Sequence, residues 1–323
     1  MADTGILNFS LDDFKEAARI YRKDFLRLPI LSLNDDLKFM TPRMGVRYSE
    51  VVMQPDLEAD FVPYKRRRRE FRDLNIIMRD LRTYFGALDY DFEPNSAIQT
   101  ILGHRASQAA GQPLASTPTA REVLALIAKK AGYKLKYALF SATRDADGDS
   151  SLDLFDGFDT IANEEVQKGN ISAAKKNYFR LSAKPDATNA VAMAKDILHA
   201  MSPELRAQEC FIFCTQDFVD AYNENYLATH PAVPYNTKYN QTSVEGSNGM
   251  LTFVPLLGKQ DSPYIQVTPK ANMLVGMDQM SDLESVRIGD YDPNLITLSM
   301  RMFFGVQYES IDPRRLLLVE IPD

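Results

Sequence analysis

The sequence has no tryptophan, three histidines and two cysteines in 323 residues. Two cysteines make no disulfide framework, and a reducing cytosol fits best. Cys210 and Cys214 lie four residues apart around an apolar strand, on the same side of it. At about 13 Å they stand too far apart to share a metal, and they are expected to be small buried hydrophobes. His104, His199 and His230 are scattered outside ligand spacing of one another, which argues against histidine-rich metal chemistry. There is no Gly-rich phosphate loop and no nucleophile elbow. No apolar run approaches the roughly 20 residues of a membrane span, so no membrane partner is expected. The opening "MADTGILNFSLDDF" lacks a basic segment followed by an apolar one, so no secretory signal is expected. These gaps favour a protein without catalysis or a cofactor.

What is present is ordinary globular composition, 45% hydrophobic and 25% charged, with length for one large or two ordinary domains. The net charge is −7 and the pI about 5.2, which argues against a general nucleic-acid binder. Within this acidic chain, "FVPYKRRRREFRD" carries five consecutive basic residues, Lys65, Arg66, Arg67, Arg68 and Arg69. As a strand it would be charged on both faces and could not lie inside a sheet, because burying unpaired charge costs several kcal/mol. The preceding "PDLEADFVP" puts Asp56, Glu58 and Asp60 on one side. Residues 41–75 therefore read as a projecting hairpin with an acid-rich and a base-rich limb. The basic run could bind phosphates, pair with carboxylates of other copies, or remain solvated. Self-association is favoured, because every copy carries both charges.

Helices announce themselves by spacing. Ser10 caps a stretch in which Phe14, Ala18, Tyr21, Phe25 and Leu28 form an apolar stripe ending at Pro29. Phe14, Tyr21 and Phe25 are thus candidates for contact with another surface. Thr119 and Glu122 read as a capping box for a helix that Gly132 ends, followed by a strand, "YKLKYALF". Residues 76–110 read as mixed helix and strand. Beyond residue 186 the pattern is α/β. "ATNAVAMAKDILHAM" is a helix, Ser202-Pro203 starts a short turn, "CFIFC" is a buried strand, and a helix follows, capped by Thr215 or Asp217. Strands and Gly/Pro punctuation then run to the end.

The acidic turn "DADGDSSLDLFD" imitates a calcium loop. Asp145, Asp147, Asp149, Asp153 and Asp156 occupy its positions 1, 3, 5, 9 and 12. Position 6, where glycine makes the sharp turn, is Ser150, and position 12 is Asp rather than the longer Glu. A strand rather than a helix is expected before it. A solvated turn without metal is the preferred reading.

The order of features resembles the major capsid proteins of tailed bacteriophages, the Hong Kong 97 type fold. The residues that carry the likeness are the N-terminal arm, the long hairpin, the helix at 119–132, the segment "KYALFSATRDADGDSSLDLFDGFDTIA" and, most specifically, "ANMLVGMDQMSDLESVRIGDYDPNLITLSMRMFFGVQYESIDPRRLLLVEI". The resemblance implies an α+β fold with an arm at 1–40, an extended E-loop hairpin at 41–75 and a peripheral domain at 76–185 built on the spine helix. An axial α/β domain at 186–290 and C-terminal strands at 291–323 complete it. It further implies a structural protein that forms hexamers and pentamers of an icosahedral shell. That shell encloses double-stranded DNA without sequence-specific binding, is assembled in the host bacterial cytoplasm and resides in the virion. Portal, scaffolding or decoration proteins would be its other partners. Few residues precede the first helix, so scaffolding is expected to be a separate protein or already removed. The alternatives are a nucleic-acid-binding protein using residues 65–69, which a DNA column would reveal, and a calcium-binding or enzymatic protein using residues 145–156, which calorimetry with calcium would reveal.

Overall fold

The computed structural model describes residues 20–21, 28–29, 32–56, 75–92, 118–229, 242–279, 286–292 and 295–322. Phe14, Phe25, Glu58, Asp60 and the run Lys65–Arg69 lie outside them.

Three sheets organise the described residues. The first is built around the 14-residue strand β11 (Leu295–Tyr308). β9 (Met273–Gln279) and β10 (Val286–Asp292) lie antiparallel to it, β9 against residues 302–308 and β10 against residues 295–300. β4 (Tyr84–Phe92) pairs antiparallel with residues 296–304 of β11, and β1 (Thr41–Met44) adds parallel to β9. Alternation decides its faces. Met300, Met302, Phe304 and Val306 enter the main core, while Phe303 turns to the other side, against Phe85 and Tyr48.

The second sheet has the order β5 (Tyr178–Arg180), β12 (Leu317–Glu320), β8 (Tyr264–Thr268), β6 (Cys210–Cys214) and β7 (Leu251–Pro255). It is buried on both faces, which is why "CFIFC" is apolar throughout. Cys210, Ile212 and Cys214 face one core together with α3 (Ala190–Ala200) and α5 (Gln216–Thr229). Phe213 and Leu318 face the other core, shared with the long helix. Burial pushes both thiols up to about 12, so they are inert apolar side chains. The capping expectations hold here. Ser202 accepts from the Leu205 amide at the head of α4 (Pro203–Arg206), and Thr215 Oγ1, rather than Asp217, accepts from Phe218 at the head of α5.

The third sheet is a hairpin of β2 (Ser49–Asp56) and β3 (Asn75–Arg82). Of residues 76–110, read as mixed from the sequence, the described part to residue 92 is strand in both halves, and the rest lies outside the described residues.

The largest correction concerns the long helix. α1 runs Pro118–Ser141, so Gly132 does not end it and "YKLKYALF" is helix rather than strand. Thr119 lies inside the first turn, with Pro118 as its first residue, a position proline suits. Gly132 is required for a different reason. A Cβ there would meet Ser32 Oγ at 1.9 Å and both Cα and O of Pro29 at 2.7 Å. The glycine lets the N-terminal segment lie directly on the helix. Leu124, Ala128, Leu135, Ala138 and Leu139 fill the main core along one side of α1, with Leu33, Leu37 and Met40 packed over them. After residue 153 the chain turns into α2 (Phe158–Gln167).

Candidate assembly surface

The hairpin of β2 and β3 lies beside the first sheet and α2. Its inner face is held. Val52 and Leu81 are buried with Val46 and Leu274, and Arg79 donates to Glu165 of α2 at 2.9 Å and to Gln307 of β11 at 3.3 Å. Burial alone would raise the Glu165 carboxyl, but the Asn170 hydrogen bond and the Arg79 charge outweigh it and hold it below its ordinary value. Thr83 donates to the Val46 carbonyl at 3.0 Å, and Arg47 pairs with Asp278. Between the hairpin and α2 lies a cleft of about 350 Å³, with Arg79, Tyr84, Glu164 and Gln307 on its walls.

The outer face is uncovered and mixed: exposed Asp80, opposite Val51, pairs with Arg82 at 3.5 Å, and beside them lie exposed apolar side chains. Met53 pairs with Met78 across the ribbon, and Val51 lies two residues along on the same side; their exposures are 56%, 60% and 48%. Tyr48, in the left-handed region at φ 70°, packs edge-on against Phe303 yet remains 73% exposed. A two-stranded ribbon is marginal by itself. One with exposed methionines is the kind of surface that docks on protein. The sequence reading placed contact in the charges of this region and passed over Val51, Met53 and Met78, although the period-two pattern of β2 carried the signal.

Of the other residues singled out, Asp56 ends β2 opposite Asn75. Tyr21 is half-buried and packs against the chain's own main core, as does Leu28. The acidic turn is preceded by a helix, α1, which removes one argument made against a calcium loop. Three of its five carboxylates accept hydrogen bonds from the turn and its flank. Asp153 accepts from the Ser150 amide at 2.9 Å, Asp145 from Asp147 at 3.0 Å, and Asp156 from Arg144 at 2.8 Å. Ser150 and Asp153 form a reciprocal capping box on the 3-10 turn Ser151–Asp153. Among the described residues, no group of three His, Cys, Asp or Glu is placed to hold a metal.

One buried polar site was invisible in the sequence. Lys259 is completely buried, and its Nζ donates to Asp159 Oδ1 at 2.7 Å and to Ser262 at 2.8 Å. Gln266 also donates to Asp159, and the Phe140 ring lies 4.9 Å from the ammonium. Burial lowers the Lys259 pKa, an effect that Asp159 partly offsets. The site exists because Gly258 meets α1 closely: a Cβ there would stand 2.2 Å from the Lys136 carbonyl oxygen. It joins α2, α1 and β8, and its ammonium is held rather than presented to a reactant.

No family model and no curated protein matches the sequence. Solved structures do. A chain of the satellite phage P4 procapsid that includes the size determination protein is 11% identical, with a TM-score of 0.57 over 94% of this chain and 92% of that one. A capsid chain of a native GTA particle is 13% identical, with a TM-score of 0.52 over 90% of each chain. A chain from Microbacterium phage Oxtober96 is 11% identical, with a TM-score of 0.51 over 88% of this chain and 90% of that one.

Proposed function

We propose that this chain, whose fold is the Hong Kong 97 type phage capsid fold, is a structural major capsid protein. It self-assembles into hexamers and pentamers of an icosahedral shell around double-stranded DNA and performs no catalysis. The observation that carries this is the likeness over nearly the whole length of both chains. A fold by itself hosts many functions. Here the ribbon, with Val51, Met53 and Met78 exposed beside an ion pair, adds a surface suited to a neighbouring copy. The buried cysteines and Lys259 are engaged in packing rather than poised for reaction.

In this reading the arm is 1–40, the E-loop is 41–75, α1 is the spine of the peripheral domain, and the second sheet with α3 and α5 belongs to the axial domain. The protein resides in the virion after assembly in the bacterial cytoplasm, with portal and scaffolding or decoration proteins as further partners. Among the described residues, no helix is long and apolar enough to cross a membrane.

Purified protein, alone and co-expressed with a scaffold, should give rings or closed shells in negative stain. Protein that stays monomeric at high concentration under both conditions would overturn the proposal.

A further inference from the structure

The outward side of α1 differs from the rest of this acidic molecule. Its exposed positions recur at helical spacing: Leu126, Lys129, Lys130, Tyr133 and Lys134, with half-buried Tyr137 next in line. From Val123 to Ser141 the helix contains no acid, in a chain of net charge −7. Lys129, Lys130 and Lys134 make no ion pair among the described residues, whereas Lys136 on the flank meets Asp36 at 3.7 Å. Among the described residues, Asp261 stands near Tyr137 and Asp35 near Lys136, and in the sequence Glu122 falls in helical register one turn before Leu126. The two tyrosine rings contact each other edge-on at 6.2 Å, and Tyr133 remains 50% exposed. The stripe runs over 12 residues, from Leu126 to Tyr137, whose ends lie about 16 Å apart along a straight helix.

We infer that this stripe binds the phosphate backbone of duplex DNA without reading its sequence. Lysine is a compact point charge that suits phosphate oxygens in any register, whereas recognition of carboxylates favours the arginine fork, which the stripe lacks. Tyrosine hydroxyls and lysine ammoniums both serve as phosphate contacts that position rather than specify. An acidic protein helix seated here would need apolar anchors at several turns, and Leu126 is the stripe's one aliphatic group. The inference deepens the shell proposal, which supplies the DNA, and assigns the contact to α1 rather than to Lys65–Arg69.

Three lysines at phosphates contribute a salt slope of about −2.7, equivalent to roughly 40-fold loss of affinity between 50 and 200 mM salt. The test is anisotropy of a labelled random-sequence duplex with full-length protein, as a function of salt. Lys129→Gln, Lys130→Gln and Lys134→Gln together should flatten the slope by about 2.7. The same three changed to Arg should restore it, and Arg66–Arg69 changed to Gln should leave the stripe's share in place. As a second measurement, duplex should protect the three lysines of the unmodified chain from acetylation, so a poorly folding variant does not decide the matter. An unchanged slope in the Gln variant, or no protection, overturns the inference. Polyglutamate that binds the stripe while duplex does not also overturns it, in favour of an acidic protein. Shell formation is scored separately by microscopy: normal shells with unchanged DNA binding would sink this inference alone, and absent shells with the expected slopes would sink the other.

Discussion

Replacing Gly132 by alanine sets two effects of opposite sign against each other. In an exposed helix interior, Gly→Ala stabilises by about 0.8–1.0 kcal/mol through propensity alone. Position 132 is interior to α1 but covered by the N-terminal segment. The new methyl would stand 1.9 Å from Ser32 Oγ, which can rotate, and 2.7 Å from two backbone atoms of Pro29, which cannot. Overpacking of this kind costs about 1–3 kcal/mol, and the immovable backbone places this case in the upper part of that range. The net expectation for Gly132→Ala is a loss of about 1–2 kcal/mol. Urea unfolding followed by circular dichroism would measure it as a lower midpoint at constant slope. In a chain lacking residues 1–32 the obstacle is gone, and the same substitution should stabilise by up to about 1 kcal/mol. A stabilised full-length Gly132→Ala would refute the reasoning, since it would mean Pro29 and Ser32 do not lie against the helix.

Asp159→Ala should destabilise by about 3–5 kcal/mol because it strands a buried ammonium, while Lys259→Met combined with Asp159→Leu should recover much of that; equal losses in single and double variants would deny the pairing. Burial lowers the folded Lys259 pKa below 10.5, so the unfolded chain holds that proton more tightly. The cost is therefore fully present below the folded pKa and is relieved as pH rises toward 10.5; wild type should gain on Lys259→Met across that window in paired denaturation curves. Asp147→Ala with Asp149→Ala should change stability by no more than about half a kcal/mol, and calcium should add nothing measurable by calorimetry. Charge reversal at Arg67 and Arg68 should impair particle assembly more than monomer folding, even though an exposed ion pair contributes only about 0–1 kcal/mol, because the contact recurs in every copy. Normal particles carrying less DNA would instead place that run against nucleic acid.

Much of the architecture was legible because it rests on short-range patterns. The stripe of α3, the Ser202-Pro203 start of α4 and the alternation in the C-terminal strands are decided by residues a few positions apart, and the structure places them where the sequence did. The same holds for the two cysteines, whose common side of β6 follows from the period of a strand. The ordered series of these elements was enough to suggest the fold.

What the sequence could not decide were the matters settled by distant partners. A glycine after a helical run signals an end, yet Gly132 is there because Pro29, about a hundred residues away in the chain, must approach α1 closely. Lys259 reads as one more surface charge in "LGKQDSP", and only the arrival of Asp159 and Gln266, with Phe140 above, makes its burial tolerable. The exposed face of Met53 and Met78 follows alternation, but which face of the hairpin is covered depends on where Glu165 and Gln307 meet Arg79. Periodicity and capping act within a turn or two of chain, whereas close approach and desolvation depend on whatever the fold brings to the same point in space.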